Sequence, residues 1–161
     1  MIYVLNFQPD YIKKPLEKSG GFVYLLVMKV CLKGMKNFPV EGGKELVKVF
    51  CEFLQSQSPL NNDITVEFLD MRQGDMTTGV RYPGNKIQVL SAGRLPIDIL
   101  RTLSHEWIHE FQTQKLGVDD SKPIQNIGGP EENMCNALSG IFVKQFEKDH
   151  PEFENLLYGE I

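Results

Sequence analysis

Cysteine and histidine are both scarce: three of each occur in 161 residues. Cys31, Cys51 and Cys135 are odd in number and have no C-x-x-C spacing, which argues against a disulfide framework and for a reducing compartment. A dense basic run is also missing. Lys and Arg total 17 against 21 Asp and Glu, for a net charge of −4, and nothing in that balance calls for a nucleic-acid partner. Long hydrophobic runs are lacking too. The longest, Phe22 to Leu32, is interrupted by Lys29 and is too short for a hydrocarbon layer of ~30 Å. The opening residues, Met1 to Phe7, lack the basic start and long apolar centre of a signal peptide. No repeat, low-complexity tract or linker is visible. The expectation is one domain over residues 1–161, in the cytoplasm, with neither nucleic acid nor membrane as partner.

What is present is ordinary globular material, 42% hydrophobic and 24% charged. Ile2, Val4, Leu5 and Phe7 suggest a short strand, and Pro9 and Pro15 bracket a loop. The Phe22–Leu32 run suits either buried strand or buried helix, with its valines and flanking glycines favouring strand. Leu46, Val47, Phe50, Phe53 and Leu54 fall at helical spacing. Ile64–Leu69 alternates as a strand does. Thr77–Tyr82 and Lys86–Leu90 flank Pro83-Gly84-Asn85, a hairpin signal. A helix starting near Pro96 and ending at Gly117 is expected next, with Asp98 suited to its first turn. After a polar loop, a last helix opens at Gly129-Pro130-Glu131-Glu132 and stops at Pro151. Trp107, Met134 and Phe142 read as core. The class is α+β, with a small, mostly antiparallel sheet.

The Pro96 helix carries His105-Glu106-Trp107-Ile108-His109. Four residues are slightly more than one helical turn, so the two imidazoles project from one face and can grip a divalent metal. Glu106 stands where a carboxylate reaches a metal-bound water. By itself the pattern can arise by chance. A catalytic zinc usually has three protein ligands, and the remaining histidine, His150, reads as a solvated helix-terminal residue. Glu131 and Glu132 are the better candidates, and Glu132 is preferred. Asn136, four residues on, faces the same way, so one of that pair can ligate while the other hydrogen-bonds a ligating imidazole. Against this, both acids suit a helix N-terminus without any metal. Cys135 reads as a buried thiol nearby.

His105-Glu106-x-x-His109 followed by Glu132-x-x-x-Asn136-Ala137 resembles the Glu-zincin metallopeptidases, and among them the small intracellular ImmA/IrrE-type zinc peptidases. The resemblance covers about residues 64–146. Ile108 stands where such proteins often have a small residue, Cys135 where they usually have alanine, and no helix-turn-helix segment is visible. The resemblance implies a minimal zincin-like fold, with an edge-strand hairpin packed on the motif helix and the third ligand on the following helix. It further implies one Zn2+ held by His105, His109 and Glu132, with Glu106 as general base for peptide hydrolysis. The strand Thr77–Tyr82 would pair with extended substrate, Gly79 allowing a second backbone to approach, or else marking a bulge. Tyr82, Arg81 and Tyr158 are possible oxyanion partners, each more simply a surface or packing residue. Two other readings stay open: a non-catalytic binding module on the same fold, and a metal-dependent hydrolase of a non-peptide amide.

Overall fold

The structure, a computed structural model, describes residues 2–7, 28–74, 76–119, 121 and 129–159. Five strands and four helices follow in the order β1 (Tyr3–Phe7), β2 (Met28–Lys33), α1 (Gly43–Gln57), β3 (Ile64–Leu69), β4 (Gly79–Tyr82), β5 (Lys86–Leu90), α2 (Pro96–Leu116), α3 (Pro130–Asp149) and α4 (Glu154–Tyr158). The architecture is α+β, as the sequence implies. The Phe22–Leu32 run is strand from Met28 onward; its first part, the Pro9–Pro15 loop and most of the loop after Gly117 lie outside the described residues. Among the described residues, no helix is long and apolar enough to cross a membrane.

The sheet order is β1-β2-β3-β5-β4. It is evenly mixed rather than mostly antiparallel. The β1–β2 and β4–β5 pairs are antiparallel, whereas β2–β3 and β3–β5 are parallel. The two parallel pairs have different origins. Helix α1 carries the chain back over the sheet between β2 and β3, and such a crossover returns a strand in the same direction. After β3 the chain skips one position to lay β4 at the edge. The turn at Pro83-Gly84-Asn85 then brings β5 back between them. Gly84 and Asn85 both have positive φ, 85° and 60°, a conformation these two residue types tolerate best.

One apolar cluster ties the sheet to the helices. Val30, Leu32, Val66, Phe68, Ile87 and Val89 of the strands meet Leu46, Phe50 and Leu54 of α1, Leu103 and Trp107 of α2, and Phe146 of α3. Trp107 is wholly buried and its indole N–H donates to the Ser58 carbonyl at 2.9 Å, so α2 is fixed to the end of α1 in rotation as well as position. Pro96 and Asp98 stand in the first turn of α2, and Gly117, at φ 71°, ends it. Gln112 of α2 bonds Glu131 at the start of α3, while Arg101 of α2 lies against Gly140 further along. The two helices therefore run antiparallel, and the middle of α2 faces the first turn of α3.

Candidate metal centre

Helix geometry brings His105 and His109 together. Their Nε2 atoms are 3.1 Å apart on the face of α2 that meets α3. The Glu132 carboxylate, in the first turn of α3, closes the triangle, with Oε1 3.2 Å from His105 Nε2 and Oε2 3.2 Å from His109 Nε2. Glu131 contributes its backbone carbonyl, which accepts from Gln112 Nε2 at 2.9 Å, while its carboxylate lies back beside Gly129. His105 and His109 are both held below the ordinary imidazole pKa, first by burial. Neutral imidazole is the form that binds metal.

Cys135, wholly buried, completes a second set: His105, His109 and Cys135 form a group that could hold a metal ion. Its thiol, however, lies 3.3 Å from Nδ1 of His109, the opposite edge of the ring from the nitrogen that faces His105 and Glu132. Burial, reinforced by the charges of Glu132 and Glu106, pushes the thiol pKa up, which disfavours the thiolate that metals bind.

The same Nδ1 edge meets Gln112, whose Oε1 is 3.1 Å away. The Gln112 amide can be oriented only one way, because its Nε2 is engaged as a donor to Glu131. Its oxygen therefore accepts a hydrogen bond from His109 Nδ1–H, leaving the Nε2 lone pair aimed at His105 and Glu132. The sequence reading assigned this supporting task to Asn136. That residue is exposed, and its amide lies 3.5 Å from Glu132 Oε1 rather than on an imidazole. Gln112 follows His109 by three residues, the spacing that puts both on one helix face; that offset was the available signal.

Glu106 points to the sheet side of this cluster and is 7% exposed. Its pKa rises from 4.5 to about 8, first through burial and then through the charge of Glu132, with a backbone hydrogen bond from Arg81 opposing the rise. It packs on Gly79 at the start of β4. A Cβ there would overlap the Thr102 methyl and come within 2.9 Å of Glu106 Oε1. The close approach that Gly79 permits is thus made by α2 of the same chain.

His105, Glu106 and Glu132 open into a cleft of about 280 Å³ whose other walls are Thr77, Thr78, Arg101, Thr102, Asn136 and Ser139. None of the three oxyanion candidates lines it. Arg81 is buried and its Nε lies 2.7 Å from Glu110 Oε2. Tyr82 packs on a small cluster of Leu69, Met76 and Val80, and the Tyr158 hydroxyl donates to Glu147 at 2.6 Å. His150 caps the end of α3 with Nδ1 3.0 Å from Glu152, the helix-terminal role expected of it. Comparison with protein-family models, curated proteins and solved structures finds no match to this chain.

Proposed function

We propose that the chain is a zinc-dependent metallopeptidase of the Glu-zincin kind, with His105, His109 and Glu132 as ligands and Glu106 as general base. The observation that carries this reading is that the two Nε2 atoms lie 3.1 Å apart and each faces one oxygen of the Glu132 carboxylate at 3.2 Å. Ligands on a tetrahedral zinc with bonds of ~2.0 Å stand about 3.3 Å from one another. The donor set therefore fits the ion, and the cleft leaves a fourth direction open. A His105–His109–Cys135 set is the competing assignment. It requires His109 to turn Nδ1 toward the ion and to give up Gln112.

When bound, the metal supplies a water acidified toward ~7 and polarisation of the scissile carbonyl. The chain's own groups do the rest. Gln112 holds His109 in the tautomer that presents Nε2. Glu106 accepts the water's proton and returns it to the departing amine. Burial keeps its proton affinity near neutrality, which suits a group that must both take and give. Among the described residues β4 is the edge strand of the sheet, beside the cleft, where an extended substrate backbone could add as a further strand. Three free cysteines suit a reducing, intracellular setting.

The test is metal content and peptide cleavage measured together. Purified protein should hold about one zinc per chain, and Glu106→Gln should keep it while losing at least ~10²-fold in cleavage of an extended peptide. Glu132→Ala should lose the metal. Protein that binds no transition metal sinks the proposal; metal with no cleavage of any peptide leaves a binding module.

A further inference from the structure

Three arginines lie on or beside α2, and two are engaged by other groups of the protein. Arg81 is paired with Glu110. Arg94 donates to the Leu90 carbonyl at 2.9 Å, the Asp98 carbonyl at 2.9 Å and the Thr102 hydroxyl at 2.8 Å, stapling the end of β5 to the start of α2. Arg101 differs. It is exposed, and it makes no hydrogen bond or ion pair among the described residues.

Its position is specific. Arg101 precedes His105 by one turn, so Arg101, His105 and His109 form a single row along α2. The guanidinium reaches toward α3 beside Gly140: a Cβ there would be in ordinary contact with Nη2, at 3.6 Å. It thus forms one end wall of the cleft, beside Ser139, Asn136 and Thr102. Among the described residues none of the cleft's walls is a hydrocarbon side chain, so a bulky apolar group gains little there. A hydrogen-bonding group gains more, and an anionic one most, because a planar guanidinium matches a carboxylate edge to edge.

We propose that Arg101 is the substrate-selecting wall of this cleft, so that the peptide it accepts carries a carboxylate close to the bond opposite Glu106. One helical turn is ~6 Å and an extended residue spans ~3.4 Å, which puts the carboxylate about two residues from that bond. It can come from a Glu or Asp side chain or from the peptide's own C-terminus. The inference rests on the metallopeptidase reading and names its substrate class.

The test uses extended peptides with amidated ends that differ only in Glu, Gln or Lys at one position, together with a neutral peptide bearing a free C-terminus. Cleavage is measured with the zinc-loaded wild-type chain, and binding with the Glu106→Gln chain by fluorescence anisotropy. The Glu peptide should surpass the Gln peptide about fivefold at one position, the size expected of a solvent-exposed charge pair. Arg101→Gln should bring the ratio to about one, and Arg101→Glu should turn the preference toward Lys. A preference confined to the free C-terminus, equally lost in Arg101→Gln, assigns the carboxylate to the chain end. Equal use of Glu and Gln peptides by wild type together with no preference for the free C-terminus, or a preference that survives Arg101→Gln, overturns the inference. Arg101-dependent binding of the acidic peptide without cleavage would retain Arg101's role and discard the peptidase. Neither binding nor cleavage would discard both.

Discussion

Helices α1 and α2 contribute to the same apolar core but bury different chemistry. The buried residues of α1 are Gly43, Leu46, Val47, Phe50, Cys51 and Leu54. Those of α2 include Ser104, Glu106, His109, Glu110 and Gln112 alongside Ile99, Leu100, Leu103, Trp107 and Ile108. A helix that only had to stabilise a fold would resemble α1, because each buried polar group costs free energy unless its partners are in place. On α2 most such groups do have partners, supplied from elsewhere in the chain: Arg81 for Glu110, Glu132 for the imidazoles, the Glu131 carbonyl for Gln112. By this contrast α1 is built for packing, whereas α2 buries the polar groups that the proposed site requires.

The largest expected effect lies at Glu106. Its carboxyl has a pKa of about 8 in the fold against 4.5 for the free group. Because the folded value is raised, both states are protonated below 4.5 and no cost arises there. Above it, the unfolded chain ionises while the folded chain retains its proton, so stability falls as pH rises and levels off only past 8. At about 1.4 kcal/mol per pH unit this amounts to about 5 kcal/mol. Denaturant midpoints of the metal-free protein at pH 5 and pH 8 should show the loss, partly offset by His105 and His109, whose lowered pKa values make stability rise with pH through the imidazole range; Glu106→Gln should leave only that rise. No comparable slope is expected from α1 between pH 5 and pH 8, where the Cys51 thiol, pushed up by burial, stays protonated. A pH dependence over that range that is the same in wild type and Glu106→Gln would remove the distinction between the two helices.

Next in size is the buried Arg81–Glu110 pair. Arg81→Met leaves Glu110 uncompensated inside the protein and should cost about 3–5 kcal/mol, comparable to the loss from Phe50→Ala on α1. The two losses have different remedies. Adding Glu110→Leu to Arg81→Met should restore most of the stability, whereas no second change elsewhere repairs the cavity left by Phe50. Chemical denaturation of the single and double variants measures the recovery; its absence would mean that Arg81 acts through its packing rather than its charge.

How far the sequence disclosed these two helices depended on whether the controlling interactions were local. The ends of α2 were legible because Pro96, Asp98 and Gly117 each act within one turn. Lys86–Leu90 was legible as a strand because alternation and a Pro-Gly-Asn turn bound it. The parallel pairings were not. They depend on where the chain returns after α1 and after β4, and no local residue encodes that return, although the strand–helix–strand succession of β2, α1 and β3 was a usable hint. Within the site, the helical offset sufficed to join His105 with His109. Glu132 needed the antiparallel docking of α3, and its choice over Glu131 turned on the helical phase of the first turn of α3. Arg81 and Glu110 are 29 positions apart, and only the folded chain reveals them as a pair.

The smallest effects probe the edge of His109 that faces away from the cleft, where Gln112 and Cys135 compete as its support. Gln112→Met removes the acceptor that fixes the Nδ1–H tautomer and the donor that ties α2 to Glu131, and should weaken zinc binding by about 10–100-fold. Gln112→Glu keeps the acceptor, so it should recover part of that loss, whereas a purely packing role would favour Met over Glu. Cys135→Ala is expected to change zinc affinity by less than about threefold, since its thiol approaches the nitrogen that does not face the ion and burial holds it protonated. Competition against a zinc-chelating dye ranks the three variants. Loss of metal in Cys135→Ala with retention in Glu132→Ala would reverse the assignment: His105, His109 and Cys135 would be the ligand set, and α2 would have buried its polar groups to hold a metal on the other edge of the same imidazole.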